Sequence, residues 1–91
     1  MDITLTFLGT SNAIPTAQRN HPAILLQWEN ECILFDCGEG TQRQFKHANI
    51  NPCKLTRICV THLHGDHVLG LPGLIETLEM SEYAKTLKIY G

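Results

Sequence analysis

The chain has 91 residues, 43% hydrophobic and 18% charged, the balance of one folded domain; this excludes a disordered tail. Seven basic against nine acidic residues give a formal net charge of −2. That excludes a free-standing basic patch for nucleic acid, though not a nuclease whose basic surface lies elsewhere.

The opening residues carry no basic segment followed by an apolar run, so no signal peptide is expected. No apolar stretch approaches the roughly 18–20 residues of a membrane span, and a soluble, cytoplasmic protein is the expectation. Residues 2–8 alternate polar and apolar, with Ile3, Leu5 and Phe7 on one face, which predicts a strand with one buried side. Gly9 to Asn12 break it, and Pro15 keeps the next segment irregular. Two apolar runs follow, 23–28 and 31–35, with Glu29-Asn30 as a hairpin turn between them. Their continuous apolar character predicts strands covered on both faces.

Asp36-Cys37-Gly38-Glu39-Gly40 is a glycine-rich exit from the third strand. Thr41 followed by Gln44 matches a capping box, so a helix is expected over about 42–48. The Gly38–Thr41 stretch could also cradle a phosphate, but no lysine follows it and Glu39 sits within it, which favours a tight turn plus a cap. Residues 56–61 form a short strand with Ile58 and Val60, and a histidine-rich polar cluster comes next. Residues 71–80 read as a helix with Pro72 in its first turn and Leu71, Leu74, Ile75 and Leu78 on one stripe. Residues 87–90 read as a further strand. Each apolar sheet face needs a covering layer, so a larger sandwich is expected, with a large apolar edge or face open without the remainder.

The cysteines are Cys32, Cys37, Cys53 and Cys59. An extended segment puts Cys32 and Cys37 on opposite faces, and no Cys-x-x-Cys occurs, so reduced thiols packed in the core are expected. His21 and His47 lie outside any ligand spacing, and Trp28 and Phe45 read as packing residues.

The chemistry concentrates in His62-Leu63-His64-Gly65-Asp66-His67, which holds three of the five histidines. Imidazole nitrogen and carboxylate oxygen are the donors zinc accepts. His62 and His64, two apart in an extended exit, point the same way and suit one metal, with Leu63 turned back into the core. Gly65 would let the chain turn sharply. Asp66 and His67 then project from the next turn and suit a second metal about 3.5–4 Å from the first.

This H-x-H-x-D-H cluster resembles the signature of the metallo-β-lactamase superfamily. Phe7-Leu8-Gly9-Thr10, Pro15 with Arg19-Asn20, the run from Leu34 to Gln42, Thr61 to His67, and Gly70-Leu71-Pro72-Gly73-Leu74 occur in the order found in ribonuclease Z, the family that removes the 3′ trailer from precursor tRNA. The resemblance implies an α/β fold, the N-terminal half of an αβ/βα sandwich, with residues 1–91 an incomplete domain. It implies two zinc ions, one held by His62 and His64 and the other by Asp66 and His67, with Asp66 also the proton acceptor. Asp36 would support the metal loop from behind, the less favoured alternative being an Asx turn that ends a strand. Arg19 and Asn20 resemble the family's substrate loop; Ala17 stands where the family has lysine, and Arg19 reads equally as a solvated loop residue.

Four ligands for two metals fall short of the roughly three plus water that a catalytic zinc takes. The resemblance implies that the other histidines, a bridging aspartate, the basic tRNA-gripping arm and the acid for the leaving group lie beyond residue 91. It also implies a homodimer when complete, and no activity from these residues alone. Two other readings stay open: another hydrolase of the superfamily acting on a small phosphodiester, thioester or lactam, and a non-catalytic fragment or half of a split protein.

Overall fold

The structure, a computed structural model, describes residues 2–9 and 22–91, apart from the side chain of Asp66. In chain order the elements are β1 (Ile3–Gly9), β2 (Ala23–Trp28), β3 (Glu31–Phe35), α1 (Thr41–His47), a 3-10 turn (Pro52–Lys54), β4 (Arg57–Cys59), α2 (Gly65–Val68), α3 (Leu71–Met80) and β5 (Lys88–Tyr90). Among the described residues the strands form one mixed sheet in the order β1-β2-β3-β4-β5. β1, β2 and β3 pair antiparallel, whereas β3, β4 and β5 pair parallel across helical connections.

The hairpin turn falls where it was expected. Trp28 pairs with Glu31, and Glu29 takes a left-handed φ of 53°, a conformation a two-residue turn needs and glycine adopts more readily.

One sheet face carries the core. Leu25, Leu34 and Ile58 are cross-strand neighbours and fully buried, and Phe45 of α1, Leu55 and Leu74 of α3 close over them. Each such side chain contributes about 1.5–3 kcal/mol of transfer free energy. On α3 the predicted stripe holds for Leu74 and Leu78, while Ile75 at its edge is exposed.

The other face departs from the expectation of strands covered on both sides. The row Phe7–Ile24–Phe35–Cys59–Tyr90 and the shorter row Leu5–Leu26–Ile33 line it, and no described element packs over them. Ile3, Leu5 and Phe7, expected on the buried side of β1, are therefore 64%, 54% and 63% exposed. The alternation was read correctly, but the helices lie on the opposite face, where Leu8 is buried. Among the described residues this apolar face is therefore open.

The capping box does not form. Gly40 is the N-cap, with φ 83°, and no side chain caps the helix. The Thr41 hydroxyl instead donates to the Gly38 carbonyl at 2.6 Å, closing a tight turn, and the Gln44 amide donates to the Leu8 carbonyl at 2.8 Å. Gln44 thus ties α1 to β1, and that tertiary bond removes the local one.

The described cysteines are free thiols, Cys32 and Cys37 buried and Cys53 and Cys59 half-buried. Burial pushes the Cys37 thiol up to about 12; Thr41 partly offsets this and the Asp36 charge adds to it. Iodoacetamide at about pH 8, near the usual thiol pKa, is expected to modify Cys53 and Cys59 in the folded protein, and Cys32 and Cys37 only after denaturation. Mass spectrometry of the peptides reads the pattern, and rapid labelling of native Cys37 would contradict its burial.

Candidate metal centre

The site lies where β3 and β4 end side by side. Phe35 pairs with Cys59, and the next residue, Asp36, donates its N–H to the Cys59 carbonyl at 2.8 Å. Asp36 then turns left-handed, with φ 65°, a conformation short polar side chains tolerate better than most. The turn leaves Asp36 buried, 7% exposed, beneath the loop that follows β4.

Three groups meet that carboxylate. The Thr61 N–H donates to Oδ1 at 2.8 Å, the Thr61 hydroxyl donates to Oδ2 at 2.7 Å, and Nδ1 of His67 lies 3.0 Å from Oδ2. Burial disfavours the Asp36 charge, but the two Thr61 hydrogen bonds and His67 outweigh it and hold the carboxyl below the usual carboxylate range. Asp36 is therefore a charged anchor for the loop rather than a simple Asx turn.

His62 and His64 leave the strand with ring centroids 5.8 Å apart, as their two-residue spacing predicts. His67 comes closer still to His62, at 4.8 Å. The one-turn helix α2 brings it back: the His67 N–H donates to the His64 carbonyl at 2.9 Å, and the His67 carbonyl accepts from Cys37 at 2.8 Å. Gly70 completes the clamp by donating to the Cys37 carbonyl at 2.9 Å.

Two local expectations fail. Leu63 is 84% exposed rather than turned into the core, because no described layer lies beyond it. Gly65 opens α2 and is absent from the positive-φ glycines, so no sharp turn depends on it. Arg19, Asn20 and His21 lie outside the described residues, and Asp66 is placed only as a backbone position in α2. Thr61 was missed as a site residue; the signal available was a hydroxyl residue directly before the first histidine of the cluster.

The donor chemistry fits a metal. Three imidazoles gather on one rim, and His67 turns Nδ1 to a carboxylate, the arrangement that leaves Nε2 for a cation. Among the described residues no three histidine, cysteine or acidic side chains converge closely enough to hold one ion by themselves.

The family model described as "Anti-Pycsar protein Apyc1" matches residues 3–91. The chain belongs to that family. Among curated relatives of this family member, ribonuclease Z of Methanothermobacter thermautotrophicus is 55% identical over 87 residues, covering 96% of this chain and 28% of that protein. The crystal structure of the short form of human tRNase Z superposes with a TM-score of 0.89 at 46% identity, over 96% of this chain and 34% of that one. The metallo-β-lactamase fold protein YhfI from Bacillus subtilis superposes with a TM-score of 0.83 over 98% of this chain and 37% of that one; at 24% identity it speaks for the fold alone. The metallo-β-lactamase fold and the ribonuclease Z resemblance read from the sequence are both borne out. The chain spans little more than a quarter of the length of the curated relative it matches. Among the described residues no helix is long and apolar enough to cross a membrane.

Proposed function

We propose that this chain carries the first ligands of a two-zinc endoribonuclease centre that removes the 3′ trailer from precursor tRNA. The observation that carries the reading is the rim of His62, His64 and His67 anchored on the buried carboxylate of Asp36. The names of the ribonuclease Z and tRNase Z relatives supply the substrate class.

His62 and His64 would hold one zinc, and Asp66 and His67 the other. When bound, such a pair lowers the pKa of a water and offsets charge on the phosphoryl oxygens. Asp36 fixes the His67 ring through Nδ1 and the strand exit through Thr61. Asp66 accepts the proton of the attacking water, and Arg19 and Asn20 contact the RNA backbone. In-line attack of that water on phosphorus would break the bond to the 3′ oxygen, which takes its proton from an acid outside these residues, leaving a 3′-hydroxyl on the tRNA and a 5′-phosphate on the trailer. The open apolar sheet face receives the second layer of the sandwich, which brings the remaining ligands and the basic surface that a net charge of −2 does not provide. The complete protein works in the cytoplasm as a homodimer.

The test is a zinc-supplemented trailer-removal assay. The 91-residue chain alone is expected to be inactive. With a polypeptide supplying the rest of a ribonuclease Z relative, activity is expected, and Asp66→Ala should lower turnover by about 10²–10⁴-fold with tRNA binding near normal. Full activity from the chain alone would overturn the ligand count, and unchanged turnover would remove the role of Asp66.

A second reading is another hydrolase of the superfamily acting on a small phosphodiester; the matching family model, described as an anti-Pycsar protein, does not itself name a tRNA enzyme. With the rest of a ribonuclease Z relative supplied, comparing kcat/KM on precursor tRNA and on bis(p-nitrophenyl) phosphate separates a tRNA processor from a hydrolase of small phosphodiesters. A large preference for the RNA supports the first reading, and none supports the second.

A further inference from the structure

Thr61 touches two members of the site at once. Its hydroxyl oxygen lies 2.7 Å from Oδ2 of Asp36 and 3.0 Å from Nδ1 of His62. A hydroxyl has one proton to give, and a carboxylate can only accept. If that proton went to the imidazole, Oγ1 and Oδ2 would face each other at 2.7 Å, lone pair against lone pair with no hydrogen between them. The proton therefore belongs to Asp36, and toward His62 the oxygen can only accept.

We infer that the Thr61 hydroxyl fixes the tautomer of His62, keeping the proton on Nδ1 and the lone pair on Nε2. Nε2 is then the nitrogen available to a cation. One carboxylate thus orients two imidazoles: His67 directly, at 3.0 Å, and His62 through a hydroxyl. Thr61 is a positioning residue acting through its neighbour. The inference deepens the metal-centre reading by assigning the donor atom of one proposed ligand, but the tautomer exists without metal and can be read without it.

The backbone of Thr61 is tied separately, its N–H donating to Oδ1 of Asp36 at 2.8 Å. Thr61→Val therefore keeps that bond and the side-chain shape and removes only the hydroxyl, at an exposed position. Thr61→Ser keeps the hydroxyl and removes only a methyl group.

Long-range ¹H–¹⁵N correlation spectra of the metal-free protein at about pH 8, above the usual histidine pKa, distinguish a protonated ring nitrogen from a bare one. The wild type and Thr61→Ser are expected to show His62 with Nδ1 protonated and Nε2 bare. Thr61→Val is expected to lose that single state, with Nε2 protonated in a substantial share of molecules. A wild type with His62 protonated on Nε2 overturns the inference with no variant needed, and so does a Thr61→Val spectrum identical to wild type. Zinc titration of the wild type together with the polypeptide that supplies the rest of a ribonuclease Z relative separates the two levels of argument: Nδ1 protonated with no zinc bound by that complemented protein would refute the metal reading and leave the role of Thr61 standing.

Discussion

Gly70→Ala is expected to lower the stability of the protein by about 3 kcal/mol or more, a large part of the roughly 5–15 kcal/mol that holds a typical domain together. Gly70 has ordinary helical angles, φ −81° and ψ −11°, so conformational freedom is not the reason for a glycine here. The reason is contact. A Cβ on this residue would run into the Gly38 carbonyl oxygen and sit 2.8 Å from its carbon and 2.9 Å from the Cys37 carbonyl oxygen. All three are backbone atoms, held by the β3 exit on one side and the Cys37–His67 and Gly70–Cys37 hydrogen bonds on the other. Neither side can yield without opening the clamp that seats the histidine loop. Gly73→Ala is the internal control, because there the added methyl meets the end of the flexible Gln42 side chain. It should be near neutral, with the roughly 0.5–1 kcal/mol helix advantage of alanine offsetting the adjustment. Urea denaturation of both variants gives the comparison, and equal midpoints would show that the Gly38–Gly70 approach is not rigid.

On the proposed zinc reading, with the remaining ligands supplied by the rest of a ribonuclease Z relative, removing the charge of Asp36 is expected to weaken zinc binding by about 10–100-fold, and the choice of replacement separates two roles. An asparagine at this position would tolerate the left-handed φ of 65° and retain an oxygen for the Thr61 N–H. Its amide NH₂, however, would face the two donors that now share Oδ2, the Thr61 hydroxyl and His67 Nδ1. Both must turn away or shift their protons, and His67 then loses the arrangement that frees Nε2. Asp36→Asn should therefore bind zinc poorly while melting near the wild-type temperature. Asp36→Ala adds about 1–2 kcal/mol of left-handed strain and about 1–3 kcal/mol for unsatisfied Thr61 groups, so it should lose stability as well as zinc. Competition with a chromophoric chelator, beside thermal melts, reads both. Wild-type zinc affinity in Asp36→Asn would show that the carboxylate is a structural turn and nothing more.

The histidine cluster was legible because its geometry is local. Two residues apart on an extended exit, His62 and His64 share a side whatever surrounds them. Helix α3 was legible for the same reason, its apolar stripe and Pro72 being signals within one segment. The capping box at Thr41 was misread although its pattern is local, because Gln44 found a partner on β1 that no nearby residue announces. Thr61 escaped notice because its role depends on Asp36, a residue on a different strand.

The order of polar and apolar residues determined by itself that a sheet, a covering helix and a histidine loop at a strand end would form, since strand and helix periodicities act over a few residues. Which face of β1 is buried, and whether Leu63 has anything to pack against, only the tertiary structure decided. An alternating strand has two faces, and which of them is covered depends on where the helices cross. The same holds for the anchoring of His67: it exists because parallel pairing of β3 and β4 sets Asp36 beside Cys59 and under the returning turn of α2.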